Sequence, residues 1–552
     1  MTRAKLPRLA RVLISTLQSC SRMAWWHAVA IGHRGDAWVG RRRQGGISIF
    51  FGCRKETGER HGWLGAVGEM SKRVAVVVGG SVAGLACAHA AAGEGWEVVV
   101  LEKAAAPAAG CGTGAGLGLD AQSMETLARW IPGWGLDTST LPLAVDLNRA
   151  TDSQTKAART LARDGDFHFR AAHWGNLHRR LHEALPPAVT VLWGHQFLSF
   201  EAPDDTRGVV ATARVLRTGE TVDVTGDLLI AADGSTSSIR HCFLPDLKLR
   251  YAGYCAWRGV FDFTGKESCD TMAGIRRAYP ELGNCLYFDL AYRTHAVLYE
   301  LPRSRLNWLW YINGPEPELT GSSVTMEATD AMVTRMREEA ERVWCPELAR
   351  LIRDTAAPFV NVIYDADPLP RLSWAGGRVV LVGDAAHPTT PHGLRSTNMS
   401  VMDARTLGRC LDKWSSEPTP ARALAEYEAV RLPVVAEQVL HARRLGRLKQ
   451  GLPVDSEAEG FDVTTAKAEQ ALQLRQSTMP FFGGAPAEGC QTANESRNVA
   501  IAESSPHSAP LPLQAASCPP RSATAALRAA LAPLQPLHLR APPPPPRAAP
   551  PP

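Results

Sequence analysis

Two segments on either side of the chain's middle constrain its fold more than anything else in it. One reads Val76-Val77-Val78-Gly79-Gly80-Ser81-Val82-Ala83-Gly84-Leu85. The other reads Val379-Val380-Leu381-Val382-Gly383-Asp384-Ala385-Ala386-His387-Pro388. Each is a hydrophobic strand that runs through small residues into a helix. Such units build a parallel α/β sheet with helices on both faces.

In the first turn, Gly79 permits the sharp bend and Gly84 lets the helix pack close to its strand. Ser81 stands at the middle position of the G-x-G-x-x-G spacing, where it keeps a small side chain and offers a hydroxyl. Amide groups at the helix start then face an anion such as a pyrophosphate, aided by the helix dipole. Glu102 closes the next strand. A carboxylate there accepts both hydroxyls of an adenosine ribose and repels a 2′-phosphate. Its plainer reading is a solvated Glu beside Lys103.

A third segment, Gly226-Asp227-Leu228-Leu229-Ile230-Ala231-Ala232-Asp233-Gly234, is a strand that ends in Asp-Gly and leads through small polar residues to Arg240. Gly234 can take a backbone angle closed to other residues beside a ligand. The plainer reading makes Asp233-Gly234 a turn and Arg240 a surface cation. In the second glycine segment, Gly383, Ala385 and Ala386 leave room for close backbone approach. Asp384 stands at the strand mouth, where its carboxylate can accept a ribityl hydroxyl. Pro388 and Pro391 stiffen the next turn. The helix from Ser396 begins just beyond, and its positive end suits a reduced, anionic flavin. Dinucleotide turn, Asp-Gly segment and Asp384 turn together point to FAD. His387 and His392 are tempting as proton carriers but read more simply as structural contacts.

The pattern elsewhere predicts an α/β fold: a Rossmann-like FAD-binding domain with an interleaved antiparallel-sheet substrate domain, and disordered termini. Strands are expected at 73–78, 97–101, 189–193, 227–232 and 377–382. A hairpin is expected from 209–215 and 221–224. Helices are expected at 81–93, 176–185, 323–344, 396–414 and 422–449. Between 251 and 312 the residues are aromatic and alternate, as in Asn307-Trp308-Leu309-Trp310-Tyr311, which predicts an antiparallel sheet with one covered face.

The ends differ from the middle. Residues 1–69 carry twelve Lys or Arg against four Asp or Glu, with no acid before Asp36. This basic extension reads as an organellar transit peptide or as a start codon upstream of the natural one, with Met70-Ser71-Lys72-Arg73 directly before the first strand. The functional unit is then 70–451. From 452 to 552 the chain becomes rich in Ala, Pro and Ser, and from about 484 on it buries too little apolar surface to order a backbone. A helix near 464–472 is the one element expected there. The chain is +5 overall, with +8 in residues 1–69 and +2 after 484, so the middle is −5. The basic balance belongs to the ends and argues against nucleic-acid binding by the folded part. No C-x-x-C pair or zinc-like spacing occurs, so free thiols in a reducing compartment and no metal site are expected. No stretch is long and apolar enough for a transmembrane segment.

Over roughly 72–445 the chain resembles the FAD-dependent aromatic-ring hydroxylases, the single-component class A flavoprotein monooxygenases. The three segments occur in that family's order. Gly112-Thr113-Gly114-Ala115-Gly116-Leu117 resembles the loop lining the flavin, and Tyr427-Glu428 with Arg431 and Pro433 resembles the late helix. Tyr251-Ala252-Gly253-Tyr254-Cys255-Ala256-Trp257-Arg258-Gly259 is most similar to 2,6-dihydroxypyridine 3-monooxygenase-like members. The resemblance implies FAD held by Gly79, Ser81, Gly84, Glu102, Asp233, Gly234, Gly383, Asp384, Pro391 and Asn398, with NAD(P)H as co-substrate. It implies oxygen transfer from O2 to an electron-rich aromatic or heteroaromatic small molecule, and leaves room for a homodimer in the cytoplasm or an organelle. It identifies no catalytic base. Tyr254, Arg258, Tyr299 and Tyr311 fall in the expected substrate sheet as packing or contact residues. An epoxidase, a monooxygenase of quinone or isoprenoid precursors, and a flavin-binding protein without turnover are the alternatives. Three departures stand out. Ser81 replaces the middle glycine, Trp174 stands where many members have a cofactor-touching Arg, and Leu394-Arg395-Ser396 replaces Gly-Gln-Gly. Arg395 is expected beside the flavin ring, with two plainer readings: that it points to solvent, or that it pairs with an acid such as Asp403.

Overall fold

The computed structural model describes residues 72–107, 115–152, 154–203, 208–319, 324–454 and 460–465, with Ala468, Leu472 and a short strand pair at Arg42–Gln44 and Ile47–Ile49. Most of the basic extension, the tail, the loop residues Gly112–Gly114 and most of the helix expected near 464–472 lie outside the described residues.

A six-stranded sheet forms the first half of the core. Its order is Val189–Trp193, Glu97–Glu102, Val74–Val78, Leu228–Ala231, Val379–Leu381, Ser373–Trp374. All neighbours are parallel except the last pair. These strands read as unbroken hydrophobic runs because both faces are covered: Val76, Val77, Val98, Val100, Leu229, Ile230 and Val380 are wholly buried. The helix Val82–Gly93 lies under the sheet and is buried around most of its circumference, which explains its Ala-rich composition. Its small residues let the helix Arg395–Lys413 approach so closely that a Cβ on Gly408 would stand 3.1 Å from that of Ala90.

The second half is an eight-stranded sheet. Its order is Thr325–Met326, Phe359–Asp365, Arg250–Asp262, Arg305–Asn313, Thr294–Leu301, Cys285–Ala291, Val145–Thr151, Ala158–Asp164. It is antiparallel throughout, apart from the parallel pairing of Cys285–Ala291 with Val145–Thr151. Helices Asp270–Ala278, Asp330–Val343 and Pro346–Asp354 contribute to the core on one face, with Trp257, Trp308, Trp310, Tyr279, Tyr287 and Trp344. Two of the indoles satisfy their N–H groups inside this core. Trp308 donates to Thr355 Oγ1 at 2.9 Å and Trp310 to Thr294 Oγ1 at 2.9 Å, as buried indoles usually do.

Two expectations need correction. The antiparallel sheet extends well beyond 251–312, because Val145–Thr151, Ala158–Asp164 and Phe359–Asp365 join it from distant parts of the chain. Long-range pairing of this kind leaves no local mark in a sequence. The helix expected over 323–344 is shorter. Thr325–Met326 instead pairs as a strand with Asn361 and Val360, and the helix starts at Asp330, where the Thr329 side chain accepts from Met332 N. A small sheet of Gly116–Leu119, Phe169–His173 and Leu141–Leu143 completes the layout. It too escaped the sequence pattern.

Candidate active site

The dinucleotide turn is built by backbone approach. Gly79 has φ +103°, and a Cβ there would stand 2.2 Å from Ala232 O. A Cβ on Gly84 would stand 1.9 Å from Gly79 O. Neither position admits another residue. The helix that follows has no acid in its first turn, and the Ser81 hydroxyl makes no capping bond. First-turn amides lacking intrahelical partners and a free hydroxyl are what a pyrophosphate would meet. Glu102 accepts from Gly80 N at 2.6 Å and Ala104 N at 2.7 Å. Its carboxylate shapes the turn and keeps lone pairs for further donors.

The Asp-Gly segment behaves differently from its sequence reading. Asp233 is engaged by its own helix: Ser237 Oγ donates at 2.6 Å, Ser238 N at 2.8 Å, Ser238 Oγ at 3.2 Å and Ile239 N at 3.3 Å. Gly234, at φ +84°, is the residue of the pair that faces the cavity. Arg240 is no surface cation. It is 5% exposed and donates to Ala385 O at 2.8 Å, Asp384 O at 3.3 Å and Ser235 O. It therefore ties the Asp-Gly turn to the Asp384 turn.

At the Asp384 turn, Gly383 has φ +57° and donates its N–H to Asp403 Oδ2 at 2.9 Å. Asp384 lies on the cavity wall. Ser396 Oγ donates to its Oδ1 at 2.7 Å, and Oδ2 has no hydrogen-bond partner among the described residues. A carboxylate oxygen of this kind can accept a polyol hydroxyl. Asn398 does not reach the cavity wall. Its Nδ2 donates to Gly118 O at 2.9 Å and Leu394 O at 2.6 Å, and its Oδ1 accepts from Asp120 N at 3.1 Å. It pins the strand Gly116–Leu119 onto the start of the helix Arg395–Lys413.

One cavity of about 870 Å³ connects these turns with the open face of the eight-stranded sheet, a volume in the range of cofactor and ligand sites. At one end stand Ser81, Gly234, Asp384 and Pro391. At the other stand Leu286, Phe288, Val297, Leu309, Tyr299 and Tyr311, with Arg258 among them. Of the sequence-predicted residues, Gly79, Gly84, Glu102, Asp233, Gly383 and Asn398 shape the turns from behind this wall. Trp174 does line it, with its ring stacked on His178 at 5.1 Å.

The departure at 394–396 has a definite geometry. Leu394 sits at φ +58°, a left-handed conformation that costs a non-glycine residue roughly 1–2 kcal/mol. Its side chain fills the space over Gly118, where a Cβ would stand 2.3 Å from Leu394 Cδ1. Arg395 is wholly buried and lines the cavity. Its guanidinium bonds Gln438 Oε1 and, at 3.0 Å, His441 Nδ1 on the last helix. Burial lowers its pKa to about 8, opposed by the charges of Asp120 and Glu437. The expected pairing with Asp403 does not occur, because other groups occupy that carboxylate. His387 Nε2 lies 2.6 Å from it, Arg431 Nε donates at 2.8 Å and Gly383 N at 2.9 Å. Burial alone would raise the Asp403 pKa, but His387 and Arg431 bring it down to about 2. The sequence reading carried Arg431 through the resemblance and Asp403 as a candidate partner of Arg395, without this role for either.

Both histidines have partners inside the protein, and His392 also lines the cavity. His387 serves Asp403. His392 Nε2 meets His295 Nε2 at 3.3 Å, and His295 Nδ1 meets Gln450 Oε1 at 2.8 Å. Since the Gln450 oxygen accepts, His295 carries its proton on Nδ1 and accepts from His392 on Nε2. Burial first, and the Lys449 charge second, lower the His295 pKa to about 3. Burial with the His295, Lys449 and Arg258 charges also holds His392 well below its ordinary value.

Comparison with known proteins agrees with this geometry. Residues 72–250 and 370–442 match the family model described as "FAD binding domain". Aurachin C monooxygenase/isomerase from Stigmatella aurantiaca is 31% identical over 41% of this chain and 52% of its own length. The 3-amino-4-hydroxybenzoate 2-monooxygenase of Streptomyces cremeus is 29% identical over 50% of this chain and 61% of its own. The alignments thus span between half and two thirds of these two relatives. The 6-hydroxynicotinate 3-monooxygenase of Pseudomonas fluorescens is 28% identical over 53% and 70%. Among solved structures, 2,6-dihydroxypyridine-3-hydroxylase from Arthrobacter nicotinovorans superposes with TM-score 0.58 at 21% identity, over 70% of this chain and 95% of that one. Klebsiella pneumoniae HpxO, complexed with FAD and uric acid, gives 0.55 at 22% identity, over 73% and 93%. These two carry the fold. No helix among the described residues is long and apolar enough to cross a membrane, and no group of His, Cys, Asp or Glu among them could hold a metal ion. Residues 72–250 and 370–442 of the chain thus carry an FAD binding domain, and the relatives it resembles include monooxygenases of 3-amino-4-hydroxybenzoate and 6-hydroxynicotinate.

Proposed function

We propose that this protein is an FAD-dependent monooxygenase that uses NAD(P)H and O2 to hydroxylate an electron-rich aromatic or heteroaromatic small molecule. The observation that carries this reading is the single cavity that joins the dinucleotide turn and Asp384 to the aromatic-lined face of the eight-stranded sheet. Bound FAD supplies the redox chemistry and the activation of oxygen. The chain's own residues do the rest. The first-turn amides and Ser81 bind the pyrophosphate, and Asp384 takes a ribityl hydroxyl. The start of the helix Arg395–Lys413, with Arg395 behind it, places positive potential at the wall near Gly393–Thr397. Leu286, Phe288, Val297 and Leu309 hold the ring and exclude water. The neutral His392 and His295 lie beside this floor without adding charge to it.

The reading is tested with the purified full chain. It should be yellow and oxidise NAD(P)H slowly alone. Oxidation should accelerate with an added phenol or hydroxypyridine, with a product heavier by about 16 mass units, the one oxygen atom this chemistry transfers. A yellow protein that no member of a phenol and hydroxypyridine panel accelerates would contradict it.

A further inference from the structure

Arg258 and Glu327 lie on the cavity-facing side of the eight-stranded sheet, two strands apart. Arg258 is paired with Phe359, and the pairs Thr325–Asn361 and Met326–Val360 carry Glu327 to the place opposite Phe359. Directly opposed residues share a face. The row therefore reads Glu327, Phe359, Arg258, Leu309, Val297, Phe288, and all six line the cavity. With neighbouring strands about 4.8 Å apart, the two charged residues are roughly 10 Å apart at the backbone. Side chains of that length can meet across one strand, yet they do not. Among the described residues no hydrogen bond or ion pair engages either group, and the Arg258 Nε is buried without a partner. A cation beside Leu309, Val297 and Phe288 without a counter-charge is costly, and a ligand can supply one.

We propose that Arg258 and Glu327 are the two ends of the substrate-recognition site. The site would take an aromatic molecule with an anionic group at one end and a cationic or hydrogen-donating nitrogen at the other, laid over Phe359. This rests on the monooxygenase reading of the same cavity and names its substrate class. The planar guanidinium suits a carboxylate bidentately. Glu327 is exposed at the cavity rim, so its contribution is the smaller and selects among anions rather than anchoring them.

The test is calorimetric titration of the FAD-loaded full chain, without NAD(P)H, with benzoate, benzylamine and 4-(aminomethyl)benzoate. The zwitterion should bind most tightly. Arg258→Gln should weaken benzoate and the zwitterion by roughly tenfold or more, and Arg258→Lys should recover part of that loss. Glu327→Gln should weaken the zwitterion roughly three- to tenfold, the scale of a partly exposed charge pair, and leave benzoate unchanged within error. Glu327 sits at an exposed rim, so its variant keeps the test valid if Arg258→Gln loses its flavin. The proposal is overturned if no probe binds the natural protein, if the zwitterion binds no better than benzoate, or if Glu327→Gln weakens both alike. None of these readouts needs turnover, so a failure here is distinct from a failure to oxidise NAD(P)H.

Discussion

At the scale of single residues, Asp384 is the side chain on which cofactor binding most depends. Its free carboxylate oxygen on the cavity wall gives a definite expectation for Asp384→Ala. Loss of a charge-assisted hydrogen bond costs about 1.5–3 kcal/mol, or roughly tenfold or more in FAD affinity. Fluorescence titration of the apoprotein with FAD measures it, and an unchanged dissociation constant would remove Asp384 from the site. Arg395→Gln should lower the flavin midpoint potential by tens of millivolts, since about 30 mV corresponds to 1.4 kcal/mol for two electrons and a guanidinium near the ring favours the reduced anion. A potential that does not move would mean that Gln438 and His441 turn the guanidinium away from the ring. The small-residue turns were legible from residue types alone, because Gly79 and Gly84 have no substitute where backbones come this close, and Gly383 takes a positive φ against the Ala83 side chain. Asp233 was legible as important but not in its role. Whether a carboxylate caps its own helix or faces a ligand depends on ψ angles that a sequence does not display.

At the scale of elements, Asp403 joins three of them. Through His387 and Gly383 it holds the Asp384 turn, and through Arg431 it holds the last helix, Ala421–Lys449, to its own. Asp403→Ala leaves Arg431 and His387 buried without their partner and should cost about 3–5 kcal/mol, read as a lower urea midpoint. The sign of its pH dependence follows from a folded pKa of about 2 against an ordinary 3.8. The contribution is complete above 3.8 and is lost as pH falls through about 2. His295 acts in a higher window. Its folded value of about 3 lies below the ordinary 6.5, so the unfolded chain takes up the proton first. Stability should fall as pH drops from 6.5 toward 3, by up to about 1.4 kcal/mol per pH unit for this one group. Urea unfolding at pH 7, 6 and 5 should show a fall that includes this share beside those of His392 and His173, whose pKa values burial also lowers, and His295→Gln should make it shallower. An identical slope in the variant would place the titration elsewhere. The parallel strands were readable from continuous hydrophobic runs. The strands at 145–164 and 359–365 were not, since their partners lie far away in the chain.

At the scale of the whole molecule, the two sheets meet at one cavity, and all the motif-bearing segments lie within 72–449. We therefore expect a chain trimmed to Met70–Met479 to fold and retain FAD at one per molecule. Insolubility of the trimmed chain beside a soluble, yellow full chain would show that the ends contribute to the core. The order of the three turn segments made the nucleotide-binding half readable in advance. The floor of the cavity was readable only as aromatic alternation, because a row such as Phe359, Arg258, Leu309, Val297 and Phe288 is assembled across five strands by register. Register alone decides which residues share that face.

The central claim is that this cavity carries out flavin-dependent oxygen transfer to an aromatic ring. The most direct measurement is turnover of the purified FAD-loaded protein under isotopically labelled dioxygen, with NAD(P)H and a panel of amino-, hydroxy- and carboxy-substituted phenols and pyridines. Mass detection should find one labelled oxygen atom in a ring-hydroxylated product, with NAD(P)H consumption that depends on that substrate. Flavin that is reduced and reoxidised at the same rate with and without every member of the panel, with no label entering any of them, would contradict it.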